Sequence, residues 1–195
     1  MKRRYATIVT MARPTVHDDD LRTRLLETTA EIIDRDGADR VALREVARAA
    51  GTSTSAVYTL FGGKSELLAA VIEHAFRSFG DAQLAAEPHG IRALGEAYRA
   101  WALAHPALFR LMFGDRMPAE HAAVEAVALQ SLTPLVRTVS GIRPGAAEAA
   151  QRDAVIIWSQ VHGAVALELA QAAPPGVDWD AVYAGLLDVV ERSLA

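Results

Sequence analysis

The chain has 195 residues, of which 51% are hydrophobic and 23% charged, and it contains no cysteine. These proportions exclude a disordered or fibrous protein. The lack of cysteine excludes disulfide scaffolds, thiolate catalysis and zinc sites with sulfur ligands. Polar side chains interrupt the longest apolar stretch, residues 154–170, so we expect no membrane span and a soluble, cytoplasmic protein.

The formal net charge of −4 is distributed unevenly along the chain. Residues 1–66 carry 11 Lys and Arg against 10 Asp and Glu, whereas residues 67–195 carry 9 against 14. The first third is therefore close to +1 and the remainder close to −5. This asymmetry permits a nucleic-acid-binding module near the N terminus without requiring one.

Apolar residues recur three and four positions apart along almost the whole chain, which is the period of an α-helix. No segment has the sustained alternation of β-branched residues that indicates a strand. Proline and glycine mark the helix ends, except for Pro134, which we expect to kink its helix. We predict an all-α protein with about nine helices: 18–36, 43–50, 53–61, 64 to 84 or 87, 91–104, 106–114, 118–139, 146–172 and 179–194. The first helix is expected to pack through one apolar stripe, and Phe76 and Phe79 of the fourth are expected to face the core.

The two short predicted helices meet at Gly51, and the second begins in a stretch rich in serine and threonine. Ser53 or Thr54 is expected to cap this second helix, with Val57 and Phe61 in the core. The arrangement is typical of a helix–turn–helix, in which the second helix enters the major groove of DNA. Any corner between two helices with glycine in its turn gives a similar pattern, so the spacing leaves both interpretations open.

Residues 43–68 read LREVARAAGTSTSAVYTLFGGKSELL. This segment resembles the DNA-binding domain of the TetR family of bacterial transcription regulators. The family pattern is a hydrophobic-Arg-x-hydrophobic-Ala helix, then Gly-x-Ser, Tyr, Phe, Lys and Leu-Leu at fixed spacing. The positions in register are Ala47, Gly51, Ser53, Tyr58, Phe61, Lys64, Leu67 and Leu68.

The resemblance implies a set of DNA contacts around the second short helix. Arg44 would reach a base or a phosphate, although it could instead pair with Glu45 or with an acid of the first helix. The phenol of Tyr58 would contact a phosphate while its ring packs inward, and Lys64 would clamp a phosphate at a helix N-terminus. The predicted DNA-binding residues are Arg44, Thr54, Ser55, Tyr58, Thr59 and Lys64.

The segment departs from the family pattern in three ways. Ala42 stands where a serine or threonine commonly caps the first short helix, Thr52 replaces an aliphatic residue, and residues 52–61 carry no charge. Pairing of Arg or Lys with guanine is therefore not available from this helix. Specificity would depend on hydroxyl and methyl contacts, on Arg44 and on DNA shape.

The later segment YRAWALAHPALFRLMFGD, together with Trp158 and His162-Gly163, is similar to the WHG-type ligand-binding domain of one branch of TetR regulators. Aromatic and methionine side chains in such a set form either a core or an adaptable apolar cavity. His162 is either a polar contact for a ligand or a histidine satisfied within the core. The candidate ligand-binding residues are Trp101, Phe109, Met112, Phe113, Met117, Trp158 and His162.

The predicted organisation has three parts: a flexible basic arm at residues 1–17, a helix–turn–helix DNA-binding domain at 18–64, and a ligand-binding and dimerisation domain at 65–195. Whether residues 1–10 belong to the natural protein is left open. The last two long helices have broad apolar faces, and the resemblance implies that they pair two copies into a four-helix bundle. We expect a homodimer that binds a pseudo-palindromic operator in double-stranded DNA and is released by a mainly apolar effector. Repression is favoured over activation only by the habit of the family.

Two other classes of function compete with this interpretation. The sequence offers no nucleophile–base constellation and no phosphate loop, so we expect neither an enzyme nor a protein with a cofactor or metal. A plain helical scaffold remains the other alternative. It would lack a basic, dimer-spaced surface around Arg44, Tyr58 and Lys64.

Overall fold

The computed structural model describes residues 16–114, 122–142, 144–145 and 147–195. These residues form ten α-helices and two short 3₁₀ turns, with no strand among them, so the predicted all-α class is confirmed. The helices are α1 (Val16–Asp36), α2 (Leu43–Ala49), α3 (Thr54–Phe61), α4 (Lys64–Ala86), α5 (Ile91–Ala104), α6 (Pro106–Phe113), α7 (Ala122–Ser131), α8 (Thr133–Ile142), α9 (Ala147–Leu169) and α10 (Trp179–Leu194). The predicted arm lies mostly outside the described residues.

Helices α1 to α3, which we call the head, share a small core. Leu25 and Ile33 of α1, Val46 of α2 and Val57 of α3 are fully buried. The apolar stripe predicted along the first helix is therefore the face that packs. Gly51, between α2 and α3, has a φ of 69°, a conformation that glycine adopts without a steric penalty.

Helices α4 to α10 are called the body: α5, α6, α7 and α8 contact the long helix α4, and α9 and α10 pack against α5 and against each other. The side chains of Val71, Ile72, Phe76 and Phe79 are buried along α4, as the helical period predicts. Helix α4 also contacts the head through α1 and α3. It is therefore the element that connects the two parts.

The prediction of a single helix over residues 118–139 is wrong. The described part of this range forms two helices, α7 and α8, which are separated at Leu132. Proline lacks the amide hydrogen that would bond back to the previous turn, and its ring clashes with the carbonyl of that turn. Pro134 therefore occupies the second position of a new helix, where no such donor is needed, instead of kinking a continuous one.

None of the helices in the described ranges is long and apolar enough to span a membrane.

Candidate functional site

The entry into α3 is built as the sequence predicts. The Ser53 hydroxyl accepts a hydrogen bond from the backbone nitrogen of Ala56 at 3.1 Å, which makes Ser53 the N-cap. Helix α2 begins after Ala42 without a side-chain cap. The turn is therefore held by the cap of α3 and by the left-handed Gly51.

Helix α3 has two distinct faces. Val57 and Phe61 are buried, and α3 packs against α2 and α4, whereas Ser55 and Thr59 are exposed and Thr54 is half-buried. The Thr59 hydroxyl donates to the carbonyl of Ser55 at 3.0 Å, so its oxygen remains available as an acceptor. The outer face of α3 thus presents hydroxyl groups and carries no charge.

Tyr58 lies on the same outer face, with 55% of its surface exposed. The inward packing of its ring, which the resemblance implies, does not occur. The neighbouring residue Val57 occupies the core position, and adjacent residues of a helix point about 100° apart. Both the ring and the phenol of Tyr58 therefore remain accessible.

Helix α2 contributes the basic side chains of this surface. Arg44 is exposed, and the alternative pairing with Glu45 does not form, because Glu45 lies 3.2 Å from Arg35 instead. Arg48 is also exposed and lies one helical turn after Arg44. Sequence reasoning missed Arg48, although its spacing of four residues places it on the same helix face.

Lys64 is the first residue of α4, and its ammonium donates to the carbonyl of Asp39 at 3.3 Å. This contact holds the cation between the start of α4 and the turn that precedes α2. Arg22 reinforces the same side of the head, since its guanidinium lies 4.6 Å from the centre of the Phe61 ring and donates to the Leu60 carbonyl at 3.2 Å. Neither contact is apparent from the sequence.

The body contains an apolar cavity of about 380 Å³ beside α4. The structure brings three of the predicted ligand-binding residues to it: Met112, Phe113 and Trp158. Two aromatic rings of α4, Phe76 and Phe79, also line the cavity and were predicted only as core. Helical periodicity identifies an inward-facing residue but does not separate a cavity wall from a filled core.

A second cavity of about 310 Å³ is lined by Phe109 and His162, and it shares Phe113 and Gly114 with the first. Trp101 lines neither cavity. Its indole nitrogen donates to the Ser78 hydroxyl at 3.2 Å, and its ring packs against Phe79 with centroids 5.5 Å apart. Met117 lies outside the described residues.

His162 has a partner within the protein, because its Nδ1 atom lies 2.8 Å from the hydroxyl of Tyr98. Phe109 stacks on the imidazole with a centroid distance of 5.1 Å. Burial lowers the pKa of His162 and raises the pKa of Tyr98, so the pair is neutral at pH 7. Among the residues that the structure describes, no group of three or more acidic or histidine side chains is arranged to hold a metal ion.

Comparison with known proteins identifies the chain. Residues 25–71 match the family described as "Bacterial regulatory proteins, tetR family", and residues 91–190 match "Tetracyclin repressor-like, C-terminal domain". The second match alone covers about half of the chain. The chain belongs to the TetR family. It is thus a member of a family of DNA-binding transcriptional regulators, as the segment at residues 43–68 indicates.

Similar proteins are found among curated proteins and solved structures. HTH-type transcriptional regulators of Mycobacterium bovis and Mycobacterium tuberculosis are 30% identical over 100 residues, which cover 47% of this chain and 43% of theirs. The alignment therefore spans less than half of the length of those relatives. A Rhodococcus sp. RHA1 protein described as having unknown function is 29% identical, with a TM-score of 0.77 over 94% of this chain and 100% of that one. A TetR family regulator of Streptomyces coelicolor A3(2) shares the fold at 22% identity, with a TM-score of 0.64 over 89% of this chain and 98% of that one.

Proposed function

We propose that this protein is a ligand-responsive transcriptional repressor that binds a pseudo-palindromic operator as a homodimer and is released by a mainly apolar small molecule. The observation that carries the proposal is the exposed polar face of α3, with Ser55, Tyr58 and Thr59 directed outward while Val57 and Phe61 anchor the helix in the core. A helix exposed in this way fits the dimensions of the major groove of DNA. The same proposal includes three parts of the chain: a basic arm at residues 1–17, a DNA-binding domain at 18–64, and a ligand-binding and dimerisation domain at 65–195.

The chemistry of α3 defines how the operator would be read. Hydroxyl groups of Thr54, Ser55 and Thr59 exchange hydrogen bonds with base edges or phosphates, and threonine methyl groups contact the methyl group of thymine. Cations come from outside the helix: Arg44 would reach a base or phosphate, and Lys64 would clamp a phosphate. We therefore expect an operator whose specificity owes more to methyl contacts and DNA shape than to guanine.

The exposed faces of α9 and α10 support the homodimer. Val155, Ile156 and Leu167 of α9 and Val182 and Val189 of α10 each expose 45% or more of their surface. Other apolar residues of the same helices, such as Val161, Val165 and Val190, are already buried within one chain. The exposed set is thus an additional apolar face, and a second copy of the chain would bury it.

Two glycines lie among these exposed side chains. Gly163 of α9 and Gly185 of α10 have no heavy atom within 4 Å of the position that a Cβ would occupy. Small residues allow the backbones of packed helices to approach closely. The four helices of two copies would then form the bundle that the family resemblance implies.

Dimerisation would serve operator binding directly. Two recognition helices must lie about 34–36 Å apart to enter successive major grooves of one DNA face. Helix α4 runs from the head at Lys64 to the cavity walls at Phe76 and Phe79. A ligand in the 380 Å³ cavity would displace α4 and change the distance between the two heads.

Sequencing of the DNA fragments that the purified protein retains from a random duplex pool tests operator binding. We expect enrichment of a pseudo-palindrome whose half-site centres lie about 10 base pairs, or a multiple of that, apart. The selected operator is then titrated with candidate apolar compounds. Retention of no duplex at low salt would refute the proposal, and a non-repeated site would refute the dimeric operator.

Light scattering on a variant tests the proposed dimer face. Val182→Glu together with Val189→Glu introduces charges into the centre of the apolar stripe, so we expect a monomer where the wild type is a dimer. Leu103→Glu is the matched control, because Leu103 of α5 is also an exposed aliphatic residue but lies outside the stripe. If the double variant remains dimeric, the chains pair through another surface.

A further inference from the structure

Gln83 is a polar residue in the apolar interior of the body. It lies on α4, one helical turn after Phe79, and only 5% of its surface is exposed. Its side-chain nitrogen Nε2 is buried without a hydrogen-bond partner among the residues that the structure describes. A buried amide without a partner destabilises the folded state, so its presence in a well-packed interior requires an explanation.

A small cavity of about 20 Å³ lies beside Gln83. This volume accommodates one water-sized group. Every other side chain of its lining is apolar or aromatic, and Leu94, Leu135 and Val161 are among them. Three donors belong to this lining: the Gln83 amide, the Tyr98 hydroxyl and the Trp158 indole N–H. The Tyr98 hydroxyl is bonded to His162, whereas the Gln83 Nε2 atom has no partner among the described residues.

Trp158 connects this small space to the candidate effector cavity. Its side chain lines both the 20 Å³ cavity and the 380 Å³ cavity. The larger cavity has an apolar wall of aromatic and aliphatic side chains, with Glu125 as its one charged lining residue in the described ranges. A ligand whose apolar body occupies the larger cavity would have to pass the Trp158 side chain, which lines both spaces, to place a small polar end in the smaller one.

We propose that Gln83 is the specificity-determining residue of the effector site and that it donates a hydrogen bond to an acceptor oxygen at one end of a neutral, mainly apolar molecule. The ligand class is a hydrophobic compound with one carbonyl-type oxygen. This inference rests on the proposed effector response of the protein. The apolar body occupies the cavity beside Phe76 and Phe113, and the oxygen passes Trp158 to reach the amide.

The charges near the two cavities disfavour an anionic ligand. A carboxylate would need a cation to offset its desolvation, and among the described residues no lysine or arginine lines either space. The Glu125 carboxylate would repel an anion further. A ketone, ester or amide oxygen accepts one hydrogen bond at a smaller desolvation penalty, which matches the single unpaired donor of Gln83.

The position of Gln83 also connects recognition to the head. Gln83 and Lys64 lie on the same helix, about 28 Å apart at the rise of an α-helix. Leu187 and Val190 of α10 line the small cavity as well. An oxygen bound there contacts both the helix that bears the head and the helix of the proposed dimer face.

Isothermal titration with two probes of the same carbon skeleton tests the inference. The probes are 4-phenylbutan-2-one, which carries a carbonyl oxygen, and butylbenzene, which carries none. They are titrated into the full-length wild type, into Gln83→Met, which has a similar volume without the donor, and into Gln130→Met, the same change at an exposed residue of α7. In the wild type and in Gln130→Met we expect the ketone to bind about tenfold more tightly than the hydrocarbon, because a hydrogen bond satisfies a buried donor.

In Gln83→Met this preference should disappear through weaker binding of the ketone, with the affinity for butylbenzene unchanged or higher. The same variant should unfold at a higher temperature than the wild type, since it removes an unpaired buried amide; if it does not fold, Gln83→Leu replaces it. Three results would overturn the inference. Gln83→Met could keep the preference for the ketone over butylbenzene, the wild type could bind both probes equally, or the wild type could bind neither. Operator binding is measured on the same samples, so a failed subsite in a protein that still binds its operator leaves the proposed function standing.

Discussion

The head and the body use their polar groups in opposite ways. In the head, the buried Thr29 hydroxyl donates to the Leu25 carbonyl at 2.6 Å, and the hydroxyl-bearing residues Ser55 and Thr59 lie on the exposed face of α3. In the body, Gln83 has a buried donor with no partner among the described residues, and it lines a cavity that these residues do not fill. The head is therefore complete as a rigid unit with an outward-facing site, whereas the body contains a site that a ligand would complete.

Substitutions in the head and in the body should therefore affect different properties of the protein. Changes to exposed side chains of the head should alter DNA affinity and leave ligand affinity and stability almost unchanged. Changes inside the body should alter ligand affinity and stability first, and DNA binding only through the connection between the two parts. Four substitutions test this division.

Arg44→Ala should have the largest effect, on operator affinity. Each base contact by arginine contributes about 1–3 kcal/mol, and the proposed dimer makes it twice, so we expect a loss of about 2–6 kcal/mol. Fluorescence anisotropy with a labelled operator measures it, and the affinity for 4-phenylbutan-2-one should not change. Arg137→Ala, at an exposed arginine of the body, is the control. Equal affinities of the Arg44 and Arg137 variants would show that Arg44 does not touch DNA.

Lys64→Gln should weaken operator binding less and should change its salt dependence. Because the substitution removes one phosphate-binding cation from each half of the dimer, the slope of log K against log salt should fall by about 2. Titrations at several potassium chloride concentrations give this slope. If affinity falls while the slope is retained, Lys64 only holds the Asp39 carbonyl, at 3.3 Å in the free protein.

Much of the head follows from local rules in the sequence. The period of α1, the left-handed Gly51 and the Ser53 cap each depend on a few neighbouring residues, and the structure confirms all three. The pattern around Tyr58 and Lys64 identified the family for the same reason, because it depends on fixed spacing. The predicted orientation of the Tyr58 ring was wrong, since the exposure of a side chain depends on neighbours outside its own helix.

The body is less accessible to sequence reasoning because its site depends on contacts between distant segments. Periodicity assigned Phe76 and Phe79 to the core, but the empty space beside them is bounded by residues of α4, α6, α7 and α9, which are far apart in the sequence. Gln83 gave no signal, as glutamine is common on exposed helix faces. The break before Pro134 was predicted only as a kink, although proline at the second position of a helix is a known alternative.

Asp34→Ala tests the connection between the two parts and should reduce stability. The Asp34 carboxylate of α1 accepts hydrogen bonds from the backbone nitrogens of Ala107 at 3.0 Å and Leu108 at 3.3 Å, so the head caps the first turn of α6. Loss of such a cap costs about 0.5–2 kcal/mol of unfolding free energy, measurable by urea denaturation.

Asp36→Ala is the control for this change, because Asp36 forms an exposed ion pair with Arg35. Pairs of this kind contribute about 0–1 kcal/mol. Since α6 carries Met112 and Phe113 of the effector cavity, Asp34→Ala should also reduce the release of the operator by the ketone probe. Equal behaviour of the two variants would mean that the cap does not connect the head to the cavity.

His162→Gln should have the smallest effect, confined to the pH dependence of stability. Burial lowers the pKa of His162 in the folded protein below its ordinary value of 6.5, so the unfolded chain binds more protons as the pH falls through that value. The contribution of this residue to the free energy of unfolding therefore decreases as the pH falls from 7.5 to 5.5. Glutamine does not titrate, so the substitution removes this decrease. Its side chain can still form a hydrogen bond with Tyr98. Urea denaturation at the two pH values measures the difference, with His89→Gln at an exposed histidine as the control. Because His162 is only half-buried, water screens its charge and the change should be small. If the two proteins show no difference, the imidazole is as well solvated in the folded body as in the unfolded chain.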